Sequence, residues 1–172
     1  MLIRPAREDE RIAIWSIIKP TIRAGETYAL PANMSKEEAL TYWMGSDRET
    51  FIVEEEGNIL GTYYLRANQA GGGGHVANCG YITAPVAQGR GIARLMCMHS
   101  LEKARQRKFL AMQFNFVVSV NTRAIHLWTR MGFDIVGRLP LAFRHPSLGY
   151  VDALIMFRAL DKPSNERGEV KS

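Results

Sequence analysis

The most chemically suggestive stretch of the chain is Tyr81-Ile82-Thr83-Ala84-Pro85-Val86-Ala87-Gln88-Gly89-Arg90-Gly91-Ile92-Ala93. Strand-forming residues run into Pro85, a glycine-bearing turn follows, and a helical pattern starts at Gly91. The first amides of a helix have no carbonyl behind them, and the helix dipole leaves partial positive charge there. Glycines at 89 and 91 let an anion approach the backbone closely, and Arg90 adds a full positive charge. The chemistry that fits is binding of a phosphate or pyrophosphate. Two commoner phosphate loops do not match. A nucleotide P-loop needs G-x-x-x-x-G-K-[ST], and neither Lys nor Ser/Thr follows Gly91. The dinucleotide fingerprint needs a third glycine where Arg94 stands. A purely structural turn is the alternative that so short a motif leaves open.

Other chemistry is less well supported. His75, His99, His126 and His145 show neither HxxxH nor HExxH spacing, so no metal site is expected. Cys79 and Cys97 form no CxxC pair, which argues against a disulfide framework and for a reduced, cytoplasmic setting. Neither cysteine is expected to act as a nucleophile. Gly71 to Gly74 has no helix behind it and reads as a hairpin connection rather than a phosphate cradle.

The chain has 172 residues, 47% hydrophobic and 23% charged, which suits one soluble domain with a sizeable core. Met1 to Glu10 carries no apolar stretch behind a basic start, so no secretory signal is expected. No apolar run approaches the roughly 20 residues of a membrane helix. The net charge of +5 favours anionic partners only weakly. Lys103, Arg105, Arg107 and Lys108 cluster, but on a helical pattern that reads as a solvated face. Neither nucleic acid nor membrane is expected as a partner.

The elements that must position the glycine loop alternate along the chain. Leu2 to Arg4 suits a short strand, and Arg7 to Lys19 an amphipathic helix ended by Pro20. Ser35 and Glu38 have capping-box spacing for a second helix to about Met44. Phe51 to Val53 and Ile59 to Leu65 flank Glu-Gly-Asn as a hairpin. Val76 to Thr83 is a strand, Gly91 to Arg107 a helix, Leu110 to Val118 a strand and Thr122 to Met131 a helix stopped by Gly132. Phe133 to Arg138 and Val151 to Arg158 close as strands. The order β-α-α-β-β-β-α-β-α-β-β implies an α+β fold, a mixed, mostly antiparallel central sheet flanked by helices. Residues 1–160 form the expected domain, and 161–172 read as a flexible tail.

Two of these segments carry a resemblance. Gln88-Gly89-Arg90-Gly91-Ile92-Ala93 resembles the Q/R-x-x-G-x-G/A signature of the GCN5-related N-acetyltransferase (GNAT) family. Asn121-Thr122-Arg123-Ala124-Ile125-His126-Leu127-Trp128-Thr129-Arg130-Met131-Gly132-Phe133 looks like the family's N-x-x-A-x-x-L-Y-x-x-x-G-F helix. The resemblance covers roughly residues 1–160. It implies an acyltransferase that uses acetyl-CoA as acyl donor, transfers directly in a ternary complex and needs no metal. It also implies a homodimer. By the same resemblance, Ile82 and Thr83 offer backbone groups to the pantetheine arm. Gln88, Gly89, Arg90, Gly91, Ile92 and Ala93 surround the pyrophosphate, and Asn121 bonds the pantetheine from the other side. One residue departs from the pattern. Trp128 stands where the family has a tyrosine as general acid, and an indole N–H donates no proton at neutral pH, so Trp128 reads as a packing residue of the cofactor wall.

Gly25-Glu26-Thr27-Tyr28, Asn78-Cys79-Gly80-Tyr81, Asn115-Phe116-Val117-Val118 and Gly149-Tyr150-Val151-Asp152 look like a narrower branch. That branch acetylates small amino acids and the proline analogue azetidine-2-carboxylate, with phosphinothricin acetyltransferases as more distant relatives. It implies that Asn78, Asn115 and Asn121 line the substrate and donor sites. An asparagine offers both a donor and an acceptor, so Asn78 and Asn115 are candidate catalytic residues, with bonding to the backbone of parted strands as the other reading. An alkyl amine is only about 0.1% neutral at pH 7, so a base is wanted. Glu26 is the first candidate and Asp152 the second, each with a cap or salt-bridge role as alternative. Tyr28, Trp43 and Phe143 are possible pocket walls, with Tyr28, Asn78 and Asp152 as substrate contacts. The expected partner is a small-molecule amine. Two other readings are a non-catalytic acyl-CoA sensor and an acetyltransferase of protein N-termini or lysines.

Overall fold

The computed structural model describes residues 1–160, so the expected tail at 161–172 lies outside the described residues. The chain runs β1 (Leu2–Pro5), α1 (Arg11–Ala24), α2 (Lys36–Trp43), β2 (Arg48–Glu55), β3 (Asn58–Ala67), β4 (Val76–Thr83), α3 (Ile92–Gln106), β5 (Ala111–Val118), α4 (Thr122–Arg130), β6 (Asp134–His145) and β7 (Gly149–Ala159). This is the expected element order. The seven strands form one sheet, β1-β2-β3-β4-β5-β7-β6. Every pairing is antiparallel except β4 with β5.

Alternate residues of a strand face opposite sides of the sheet, and the two sides carry different helices. Thr62 faces α2, where its hydroxyl accepts from Trp43 Nε1 at 3.0 Å. Gly61 faces α3 so closely that a Cβ there would lie 2.9 Å from Ile92 Cγ2. On the α1 side, Ile14, Ile17, Ile18 and Ile22 are all buried. They recur at helical spacing, and this stripe carries α1 past Pro20, which the sequence reading took as its end. Proline removes one backbone bond from the helix, but the buried isoleucines on both sides hold the remaining turn to the sheet. α1 then stops at Gly25, whose φ of 63° is left-handed. At α2 the capping box forms in full, with Glu38 N donating to Ser35 Oγ and Ser35 N to Glu38 Oε2. No helix of the described residues is long and apolar enough to cross a membrane.

Ahead of α1, Glu10 is buried beneath Arg4, which also bonds Glu54 of β2. The Arg4 guanidinium, aided by the Arg7 amide, holds the Glu10 carboxyl down at about 2. A carboxyl depressed on folding stabilises the fold at pH above its unfolded value and loses that contribution as pH falls through the folded one. Glu10→Gln should therefore lower stability at neutral pH by about 2–3 kcal/mol. The gap from wild type should close between about pH 4.5 and about pH 2, as followed by urea unfolding. A gap that stays constant over that range would count against the ion pair.

Candidate active site

Among the described residues, the only parallel strand pair is β4 with β5, and it is short. β4 and β5 are joined at Val76↔Ala111 and Ala77↔Met112 and then diverge. The register shows what this exposes. Ala84 N donates to Leu60 O, and Asn68 N to Val76 O, so the even-numbered residues of β4 bond β3. Antiparallel alternation turns the backbone groups of Cys79, Tyr81 and Thr83 the other way, into the gap. Ile82 accordingly gives its amide and carbonyl to β3, across from Thr62, and its side chain to the core. The expectation that Ile82 offers backbone groups to the gap is thus corrected. Tyr81 turns its groups there instead, beside those of Thr83.

Tyr28, on the loop between α1 and α2, reaches into this gap. Tyr81 N donates to the Tyr28 hydroxyl at 2.8 Å, and that hydroxyl donates to Tyr81 O at 3.0 Å. One side chain thus satisfies both backbone groups of a residue that has lost its neighbouring strand. Burial pushes the Tyr28 hydroxyl well above the usual tyrosine range, so it stays protonated. The Cys79 thiol is likewise pushed up to about 12 by burial and is no nucleophile.

Where the strands part, side-chain amides replace the missing ladder. Asn78 Nδ2 donates to Gln113 O at 2.9 Å, Gln113 Nε2 to Asn115 Oδ1 at 2.9 Å, and Asn115 Nδ2 to Asn68 Oδ1 at 2.6 Å. Asn115 lies in a bulge of β5, where the register with β7 shifts between Phe114 and Val117. Asn78 and Asn115 are therefore brought together, through Gln113. Gln113 and Asn68 were missed by the sequence reading, and nothing but their polarity within strands could have signalled them.

At the open end of the gap lies the glycine loop. Gly89 and Gly91 have φ of 80° and 77°, and a Cβ on either would meet no protein atom within 4 Å. Ile92 is buried, so it presents only its amide to the loop, next to that of Ala93. Arg90 is paired with Glu55 at 2.5 Å. Across the gap Asn121 caps α4, its Oδ1 accepting from Ala124 N at 3.2 Å, which leaves its Nδ2 to donate. Trp128 packs against Tyr81 and Phe114 with ring centroids 5.1 Å away in each case.

These parts enclose one cleft of about 370 Å³, lined among others by Tyr28, Asn78, Thr83, Gln88, Asn115, Asn121 and Trp128. Trp43 lies beneath it in the core, and Phe143 backs onto Phe116 of the lining at 6.1 Å. The two expected bases are elsewhere. Glu26 is exposed and outside the lining. Asp152 accepts from Arg138 at 2.6 Å and from Leu141 N at 2.9 Å, and these two donors hold its carboxyl below the usual range. It pins the bulge of β6 between Leu139 and Phe143, where three residues stand opposite Asp152 alone. Among the described residues, no carboxylate or imidazole lines the cleft.

Known proteins share this architecture. Residues 13–133 match the profile of the acetyltransferase (GNAT) family. The structure of a GCN5-related N-acetyltransferase from Kribbella flavida is 37% identical, with a TM-score of 0.88 over 92% of this chain and 97% of that one. The N-acetyltransferase aca1 of Schizosaccharomyces pombe is 28% identical over 151 residues, 78% of this chain and 72% of that protein. A phosphinothricin acetyltransferase from Sinorhizobium meliloti, solved in complex with AcCoA, shares the fold at 18% identity, with a TM-score of 0.81 over 96% of this chain and 94% of that one. With the glycine loop, the parted strands and the capped α4 in place, the chain belongs to the GNAT acetyltransferase family and is an acetyl-CoA-dependent N-acetyltransferase.

Proposed function

We propose that the chain acetylates the amine of a small molecule, an amino acid or an analogue of one, by direct attack on the thioester of acetyl-CoA. The observation that carries this reading is the continuity of the cleft. It runs from Gln88, where the glycine loop begins, past Asn121 and Trp128 to Asn78 and Asn115, walled by tyrosines. The pyrophosphate sits on the amides and glycines of 89–93. The amide-rich pantetheine arm replaces the Tyr28 hydroxyl on Tyr81 and bonds Thr83, as an added strand would, with Asn121 donating from the far side. Asn78 keeps its Oδ1 and one N–H for the reacting groups.

The neutral amine attacks the thioester carbon and forms the C–N bond, the nitrogen gives its surplus proton to water, and the tetrahedral intermediate collapses with rupture of the C–S bond. With Trp128 at the acid position, the sulfur leaves as thiolate and takes its proton from water. A thiol pKa near 8.5 makes that cost only about 2 kcal/mol at pH 7. A homodimer formed along β6 fits this reading. β6 is an edge strand with Ile135, Val136 and Leu141 exposed. Two unpaired, buried cysteines suit a reduced, cytoplasmic setting.

The test is thiol release from acetyl-CoA with a panel of amino acids, proline analogues, phosphinothricin and polyamines. Turnover with a compact amino acid is expected. Asn115→Ala should lower kcat/KM for that acceptor by roughly 30-fold, because the network that places the acceptor loses its centre. Its affinity for coenzyme A should stay unchanged. Tight acetyl-CoA binding with no release for any amine would overturn the reading.

A further inference from the structure

Among the described residues, Arg66 is the one charged side chain that lines the cleft. It stands across β3–β4 from Asn78, on the same face of the sheet. Its Nη1 reaches Asp47 Oδ2 only at 3.4 Å, and its Nε is buried with no hydrogen-bond partner. Asp47 is already engaged. Arg48 holds it through Nε at 2.7 Å and Nη2 at 2.9 Å. Arg48 is itself buried against the rings of Tyr42 and Tyr64, 5.2 and 4.8 Å from their centroids, and its Nη1 also lacks a partner. Two guanidinium groups thus share one carboxylate, and the corner carries one positive charge in excess.

We propose that Arg66 anchors a carboxylate on the acceptor and so selects α-amino or α-imino acids. The inference rests on the transferase reading above and adds the group that chooses among amines. A guanidinium whose Nε is buried without a partner calls for an anion, and its planar fork fits a carboxylate through two parallel bonds. Residues directly opposite on paired antiparallel strands have Cβ atoms roughly 5 Å apart, and Arg66 and Asn78 both line the cleft. A carboxylate that meets the Arg66 fork from the cleft, on the side away from Asp47, brings its own α-amine, one carbon away, towards Asn78. A long-chain amine held the same way would carry its nitrogen past the reacting end. Polyamines and basic peptides meet an excess cation and no lining carboxylate.

The experiment pairs each α-amino and α-imino acid of a panel with its carboxamide, which keeps the amine and removes the anion. Turnover is measured beside calorimetric binding to the protein loaded with coenzyme A, for wild type, Arg66→Gln and Arg66→Lys. Wild type should favour the acids, and Arg66→Gln should raise their KM roughly 30-fold with a smaller change in kcat. Arg66→Gln should also abolish the preference over carboxamides, with Arg66→Lys restoring part of it. Coenzyme A affinity should be equal in all three proteins, which checks that the variants fold. Equal use of acids and carboxamides by wild type, or an unchanged KM in Arg66→Gln, would overturn the role of Arg66 and leave the transferase reading standing. Acids that bind through Arg66 but are never acetylated would overturn the transferase reading alone. Acids that neither bind nor react would overturn the inference.

Discussion

Acetyl transfer to an alkyl amine should speed up about tenfold per pH unit, measured as kcat/KM from about pH 6 to about pH 9. The cause is what the cleft lacks. Among the described residues no carboxylate or imidazole lines it, Glu26 is in solvent, and Asp152 is bound to Arg138 and the Leu141 amide. The Tyr28 hydroxyl is held protonated by burial. The fraction of neutral amine then sets the rate, and with an amine pKa near 10 that fraction grows tenfold with each unit. The full range amounts to roughly a thousandfold. An acceptor whose amine is already neutral at pH 6 should show a nearly flat profile, which separates substrate ionisation from loss of the fold. A plateau beginning near neutrality with an alkyl amine would mean that the protein holds a tuned base, and would sink this account.

Gly91→Val should raise the dissociation constant for coenzyme A about a hundredfold or more. Two effects combine at this position. The φ of 77° is one that a β-branched residue resists. The new side chain would also project into space that no protein atom occupies within 4 Å, at the start of α3, where the anion must approach. Gly57 makes a fair control. It has the same φ and equally open surroundings, but it lies in the β2–β3 turn, so Gly57→Val should cost stability without touching affinity. Equilibrium titration of both variants decides the matter. A Gly91→Val dissociation constant within threefold of wild type would remove the loop from the donor site.

The order of elements was legible because each carried its own local signal, such as the Ser35–Glu38 box, the two-residue Glu56-Gly57 turn or the glycine that ends α4. What local signals could not give is parity. Whether Ile82 or Tyr81 faces the gap depends on which residues of β4 bond β3, a property of the paired strand rather than of either sequence. Pro20 misled for a similar reason. Its local cost is real, but four buried isoleucines outweigh it only once the sheet lies beneath them. Asp152 was the second candidate base, on a segment, Gly149 to Asp152, that resembles the narrower branch. The bulge of β6 that claims it is invisible until β6 and β7 are paired. Arg66 went unremarked because a charged residue at the end of a strand is ordinary until its neighbours are known.

A strand that must stay unpaired for a ligand is also a hazard. From Cys79 to Thr83, β4 lies inside the sheet yet behaves as an open margin with its backbone groups exposed to any extended segment that drifts in. Such margins template the addition of foreign strands and lead to aggregation. Tyr28 closes the margin with one hydroxyl at its centre, and Asn78 closes it at the base with one amide. Neither offers a continuous ladder. In the proposed binding mode a single acyl donor displaces the tyrosine, while a peptide strand would have to dislodge both plugs and the loop that carries one of them. The cleft is thereby kept open for chemistry and shut against other chains.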